Sequence, residues 1–386
     1  MHQPWDHPAP EAGSAARPNA AGLGREALAA LLGTLGEPAW RGKQVFAGLL
    51  RQRWGRWEQF SNLSKPLRAR LEAEVDLAWP AIVQSQSSSD GSTKHVFELR
   101  DGRQVEGVHM PYEDRVTLCL SSQVGCAMGC TFCATGQMGI VRNLTAAEIV
   151  GQVVAMLNHH DHPEGRPVRP EQDAEGHPAK HAPEGTGRTM RPLNLVFMGM
   201  GEPLHNFDHL MAAFATLTDP EGLAIPPRRI TVSTSGLVSA IERLGTFARR
   251  PRLALSLNGT TDEHRSRIMP VNRVWNLEAL ASALGRFPLQ SGERITLEYV
   301  LLKGVTDSLE DGRRLAAFAR RFPAKVNLIP FNPHEGSGFE APEEARISAL
   351  CRLLSEADLP VSVRRSRGQD VAGACGQLVR QEQRRT

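Results

Sequence analysis

Six short β-branched runs alternate with helix-patterned stretches between residues 115 and 332: RVTLCLSS, LNLVFMG, RRITVSTS, RLALSLN, RITLEYVLL and AKVNLIPFN. That alternation leaves few options, because neighbouring parallel strands need a crossover long enough to bring the chain back, and a helix supplies it. It predicts an α/β fold built on a parallel barrel, complete or partial. The helix after the first strand, TAAEIVGQVVAML, opens with Thr145 and Glu148 at capping-box spacing. Such barrels place their chemistry at the carboxyl ends of the strands. Here those ends carry a cysteine loop, GMGEP, STSG, SLNGT, Glu298 within the fifth run, and Asn332. Core packing does not produce such a series in register.

Other rhythms flank the barrel. Residues 1–21 are rich in Pro, Ala and Gly and are expected to be a disordered tail. Helical spacing fills residues 22–75 and predicts an accessory domain over 22–90, with the barrel and a carboxyl-terminal loop occupying 91–386. A hairpin is expected around Asp101 and Gly102. Between Arg41 and Arg70, eight basic residues face one acidic residue, interleaved with Trp54, Trp57 and Phe60. That composition suits RNA, with Arg41, Lys43, Arg51 and Arg53 on phosphates, and equally suits a solvated helix face over a small aromatic core. Residues 159–191 break every pattern and are expected to be a disordered, histidine-rich insertion. No run resembles a signal peptide and none is long enough to span a bilayer, so a cytoplasmic protein is expected. Six cysteines in 386 residues are too few for a disulfide scaffold; their clustering points to metal or redox chemistry.

The cluster is VGCAMGCTFCATG, with Cys126, Cys130 and Cys133 spaced C-x3-C-x2-C in one loop after a strand. A structural zinc site closes with four ligands, usually two short pairs far apart in sequence. Three thiolates on a [4Fe–4S] cluster instead leave one iron open to bind and activate a small molecule. With Phe132 preceding the last cysteine and a barrel behind it, this loop resembles that of the radical S-adenosylmethionine (SAM) superfamily.

The resemblance implies a radical SAM partial (β/α)6 barrel with SAM held at the strand ends by Gly201 and Glu202, Ser233, Ser256, Asn258 and Asn332. Taken alone, each is an ordinary loop residue. Further matches, TLCLSSQVGC, MGMGEPLHN, STSG, NLIPFNP and RSRGQDVAGACGQL, closely resemble the bacterial dual-specificity RNA adenine-2-methyltransferases. That family methylates carbon 2 of adenosine in 23S rRNA and in tRNA beside the anticodon. Pro203, following the GMGE glutamate, favours the carbon-2 group over its carbon-8 sister group.

Carbon 2 lies between two ring nitrogens and is too electron-poor to attack a SAM methyl. What the family resemblance implies is a two-stage route using two SAM per turnover and an electron donor such as flavodoxin or ferredoxin, in a monomer. Cys375 would take a methyl from the first SAM. A radical made from the second would activate that methyl for addition to the ring, giving a covalent adduct. Glu106 would accept the ring proton, and Cys119 would attack the Cys375 sulfur, leaving a transient disulfide. Residue by residue, Cys375 is marked by small flanking residues that leave its sulfur accessible, Glu106 is only a polar strand residue, and Cys351 sits at core helical spacing. The alternatives are carbon-8 methylation and, from another class, a zinc-stapled RNA-binding protein without catalysis.

Overall fold

The computed structural model describes residues 17–161 and 191–378. Three helices, α1 (Arg25–Thr34), α2 (Trp40–Leu50) and α3 (Lys65–Glu74), form the amino-terminal module. The Ser64 hydroxyl accepts from the Leu67 N–H and Pro66 sits in the first turn of α3, where a missing N–H removes no helical bond. Trp57 and Phe60 are buried with Leu28, Phe46, Leu49 and Leu71, so the aromatic residues of the basic stretch are the module's core. Trp40 alone stays outside, 58% exposed.

This module begins before residue 22. Asn19 caps a short turn over Ala20–Gly22, the Ala20 N–H donates to the Asp76 carbonyl, and both alanines are buried. The expected tail of residues 1–21 is therefore corrected at its end: small side chains allow close approach here, a Cβ on Gly22 lying 2.9 Å from that of Ala147. Residues 1–16 lie outside the described residues.

Strands β1 (Ala81–Ser87), β2 (Thr93–Glu98) and β3 (Gln104–Pro111) follow as antiparallel neighbours, with the expected β2–β3 turn at Asp101 and Gly102. Next come β4 (Val116–Cys119), β5 (Gln123–Gly125), α4 (Ala134–Gln137), β6 (Ile140–Asn143) and α5 (Ala146–Asp161). The wall continues with β7 (Leu193–Phe197), α6 (Phe207–Thr218), β8 (Ile230–Thr234), α7 (Val238–Gly245) and β9 (Arg252–Ser256). It finishes with α8 (Asp262–Ile268), α9 (Leu277–Arg286), β10 (Ile295–Leu301), α10 (Leu309–Ala319), β11 (Ala324–Pro330), α11 (Glu344–Glu356) and β12 (Val361–Val363).

Ten strands make one open sheet in the order β1-β2-β3-β4-β7-β8-β9-β10-β11-β12, parallel from β4 onward. The six expected strands are β4 and β7–β11, adjacent and in chain order. Register fixes the two faces, because laterally paired residues point the same way. Cys119 pairs with Val196, Ser233 with Ala254, Ser256 with Glu298 and Glu298 with Asn327, which puts these polar groups on one face. The opposite face carries Leu118, Leu195, Ile230, Val232, Leu253, Leu255, Leu297 and Val326, all buried.

The first residues of the expected insertion are also corrected. Helix α5 runs through His159, His160 and Asp161, because the histidines pack on β2 and β3: the His160 ring stacks on His109 at 3.5 Å between centroids, and its Nε2 is 2.9 Å from His95 Nε2. Residues 162–190 lie outside the described residues. Among the described residues, no helix is long and apolar enough to cross a membrane.

Salt bridges hold the module to the wall. Arg25 meets Asp219, Lys43 and Arg51 meet Glu221, and Arg53 meets Asp161. Under them Phe46 and Leu50 close over Gly222. Arg41 pairs within the module, with Glu37.

Candidate active site

The cysteine loop is bracketed by the β5–β6 pair, and the Cys126 N–H donates to Gly139 O at 2.8 Å. Gly125 is required there: its φ is +77° and a Cβ would lie 2.0 Å from the Gly139 carbonyl oxygen. The Thr131 N–H donates to Ile268 O at the end of α8. The Ala134 N–H donates to Gly376 O at 2.8 Å, and the Thr135 hydroxyl donates to Leu378 O. Through these last two bonds the cysteine loop and the Cys375 loop hold each other.

Cys126, Cys130 and Cys133 line one cavity together with Gly201, Glu202, Ser233, Ser256, Asn258, Asn332 and Cys375. Burial first, then crowding by one another, pushes the Cys126 and Cys130 thiols up, and burial pushes Cys133 up. Three buried thiols that resist ionisation are a set that a cationic metal cluster would stabilise as thiolates. Among the described residues, no group of three or more His, Cys, Asp or Glu side chains is placed to hold a single metal ion.

Each strand end contributes for its own reason. Gly201, at φ +99°, passes so close to Gln123 that a Cβ would lie 2.5 Å from the glutamine Cβ. Gln123 Oε1 accepts from the Glu202 N–H. The Glu202 carboxylate then accepts from the Leu204 and Ser235 N–H groups, tying β7 to β8. Burial pushes its pKa up while these bonds oppose the rise. The Ser233 and Ser256 hydroxyls are 3.2 Å apart. Asn258 adopts φ +51°, and its Oδ1 accepts from the Val300 N–H. The Asn332 amide donates to Ser366 Oγ and to Cys375 O, fixing the Cys375 loop to the end of β11.

Cys119 lies behind this cavity, in a smaller recess lined also by Val108, Met110, Met198, Arg364 and Cys375. Burial pushes its thiol up to about 12, with the neighbouring Cys375 adding to the effect. Cys375, Met198 and Arg364 are walls of both spaces. Glu106 lines neither; it is buried on the β3 face that carries Val108 and Met110, with Lys94 Nζ 3.4 Å from its carboxylate. Cys351, expected in the core, is only half-buried on α11, beside the shallow surface at Ser355 and Val363.

Two further groups stand in the cavity wall: Glu298, named at its strand end but given no role, and Arg364, not singled out at all. Glu298 accepts from the Asn327 amide at 3.0 Å through Oε1, while Oε2 has no hydrogen-bond partner among the described residues. Arg364 stands 3.8 Å from Glu298 and is raised chiefly by Cys375, against the effect of burial. Strand alternation from Ser362 would have placed Arg364 on the cavity face, but β12 is only three residues long.

Residues 18–77 match the family model described as the ribosomal RNA large subunit methyltransferase N-terminal domain. The chain is 45% identical over 97% of its length to Dual-specificity RNA methyltransferase RlmN 2 of Myxococcus xanthus, covering 94% of that protein. It is 44% identical over 91% to the RlmN of Geotalea uraniireducens, covering 93% of it. A crystal structure of a radical SAM methyltransferase from Sphaerobacter thermophilus superposes with a TM-score of 0.83 at 38% identity, over 94% of this chain and 99% of that one.

Proposed function

The chain belongs to the RlmN family of dual-specificity RNA methyltransferases, and from that premise we propose how its residues share the reaction. It is a radical SAM enzyme that methylates carbon 2 of adenosine in 23S rRNA and in tRNA. The observation that carries this assignment is the single cavity joining three clustered thiols, the strand-end SAM residues and Cys375, with Cys119 directly behind.

In our proposal Cys126, Cys130 and Cys133 hold a [4Fe–4S] cluster, which with SAM supplies the one-electron chemistry that an electron-poor ring carbon demands. Gly201, Glu202, Ser233, Ser256, Asn258 and Asn332 orient the SAM. Cys375 is the methyl carrier: its thiolate attacks the methyl carbon of one SAM, S-adenosylhomocysteine leaves with the electron pair of the broken bond, and a second SAM is consumed in activating the methyl group. Once the methyl carbon is bonded to the ring and the adduct has given up its unpaired electron, for which the cluster would be the acceptor, Glu106 takes the proton from carbon 2. Cys119 then attacks the Cys375 sulfur; the sulfur–carbon bond breaks, its electron pair leaves with the methylated base and is protonated, and a Cys119–Cys375 disulfide remains. An external reductant of the flavodoxin or ferredoxin class supplies electrons, and the chain works as a monomer in the cytoplasm. Within the helical module, exposed Trp40 with the Arg41 guanidinium stacked 4.2 Å from its ring centre is the surface we assign to RNA.

The test is anaerobic reconstitution with iron and sulfide, followed by SAM, a reductant and RNA fragments. 5′-Deoxyadenosine and 2-methyladenosine should form together. 8-Methyladenosine as the only isomer would reassign the enzyme to the sister reaction.

A further inference from the structure

Glu106 has a cation built against it. Its direct cross-strand partner on β2 is Val96, and Lys94, two residues away, reaches it diagonally with Nζ 3.4 Å from Oε1. The two side chains are 9% and 3% exposed. Lysine is seldom this buried, and a buried ammonium persists only where an anion compensates it. Its stem also lies beside the loop presenting Cys375, since a Cβ built on Gly373 would be 3.6 Å from Lys94 Cβ.

We propose that Lys94 is a positioning residue for proton removal, holding Glu106 ionised and in place beside the Cys119–Cys375 recess, and so setting the pH at which the ring proton is accepted. The proposal rests on Glu106 being the proton acceptor. In that step the carbon–hydrogen bond breaks, its electron pair stays in the ring, and Glu106 becomes the neutral acid. Among the described residues, the titratable and charged groups on that face and around its recess are Lys94 and Glu98 on β2, Tyr112 just after β3, Cys119 on β4, and Arg364, Arg365, Arg367 and Cys375 of the carboxyl-terminal segment. His95 and His109 sit at the alternate positions of β2 and β3 and pack on α5 instead.

Lys94→Met, Lys94→Arg and Glu106→Gln should be compared in the reconstituted enzyme with a tRNA fragment bearing the target adenosine. Three quantities are read across pH: methylated adenosine, 5′-deoxyadenosine, and covalent protein–RNA species that resist denaturation. Removing an opposite charge this close raises a carboxylate by roughly one to three pH units. Lys94→Met should therefore move the acid limb of the methylation profile upward by that amount. At neutral pH it should accumulate covalent species that clear when the pH is raised, with 5′-deoxyadenosine still formed. Lys94→Arg should restore the limb. If Lys94→Met folds poorly, Lys94→Gln keeps a hydrogen-bond donor without the charge and should give the same shift. A uniform loss at every pH with the limb unmoved would overturn the proposal and leave Lys94 a packing residue. Glu106→Gln is the separate control: if it accumulates covalent species at no pH, the proton-acceptor role itself fails, whatever Lys94 does.

Discussion

The helical module and the barrel mouth both gather charged residues, and they use them in opposite ways. At the module's seam Lys43 and Arg51 lie more than half exposed against Glu221, where water and salt weaken an ion pair. In the mouth Glu202 and Glu298, and beside it Arg265 and Glu106, are buried, and each is engaged by chosen partners. A basic stretch therefore reports little about which cations reach a ligand. A charge on the inward face of a strand reports much more, because burial without purpose is strongly unfavourable.

The mouth should respond to substitution far more than the seam. Cys375→Ala should abolish methylation, since no carbon can be carried to the ring. Cys119→Ala should allow methyl loading and addition but block release, giving a protein–RNA band that survives denaturation and disappears with RNase. If both variants are inactive and neither traps RNA, the covalent route is wrong.

Arg265 is the next largest effect. It is fully buried and donates to the carbonyls of Leu257 and Ser235 and to Asn272 Oδ1, linking two strand-end loops to the turn between α8 and α9. Arg265→Met should cost about 3 kcal/mol or more in urea unfolding, because these acceptors would be left without donors. A loss below about 1 kcal/mol would show that water replaces the guanidinium.

An intermediate effect is expected at the histidines on the outer face of β2 and β3. Burial first, then the neighbouring imidazoles, lowers His95 to about 3, while burial leads the lowering of His109 and His160 to about 4. Folded-state values below the unfolded value of about 6.5 mean that the unfolded chain takes up protons first. Stability is thus fully present above about pH 6.5 and declines as the pH falls toward 4. Thermal melts should show that slope, and His160→Gln should flatten it.

The smallest change is expected at the seam. Lys43→Gln with Arg51→Gln should leave the salt dependence of RNA binding unaltered. A slope reduced by about one per residue would mean that these cations reach phosphate after all.

Much of this architecture was legible because it repeats. Six inward–outward alternations announce the parallel wall, and the capping box at Thr145 and Glu148 is present, each group accepting from the other's N–H. The residues that line the cavity with the three cysteines could be anticipated because each falls at a strand end. What was hidden was short or non-local. Strand β1 reads AIVQSQS, an exposed edge with no apolar face, and β12 has three residues. The destinations of Lys43, Arg51 and Arg53 depend on Glu221 and Asp161, far along the chain. His159 and His160 belong to a polar run by composition, and only their docking on β2 and β3 makes them helical.

The two hydrogen bonds joining the cysteine loop to residues 376 and 378 couple the order of that loop to the order of the arm that bears Cys375. Loosening the cysteine loop would remove two of the bonds that seat this arm and leave those that Asn332 and Gln377 make on the far side of it.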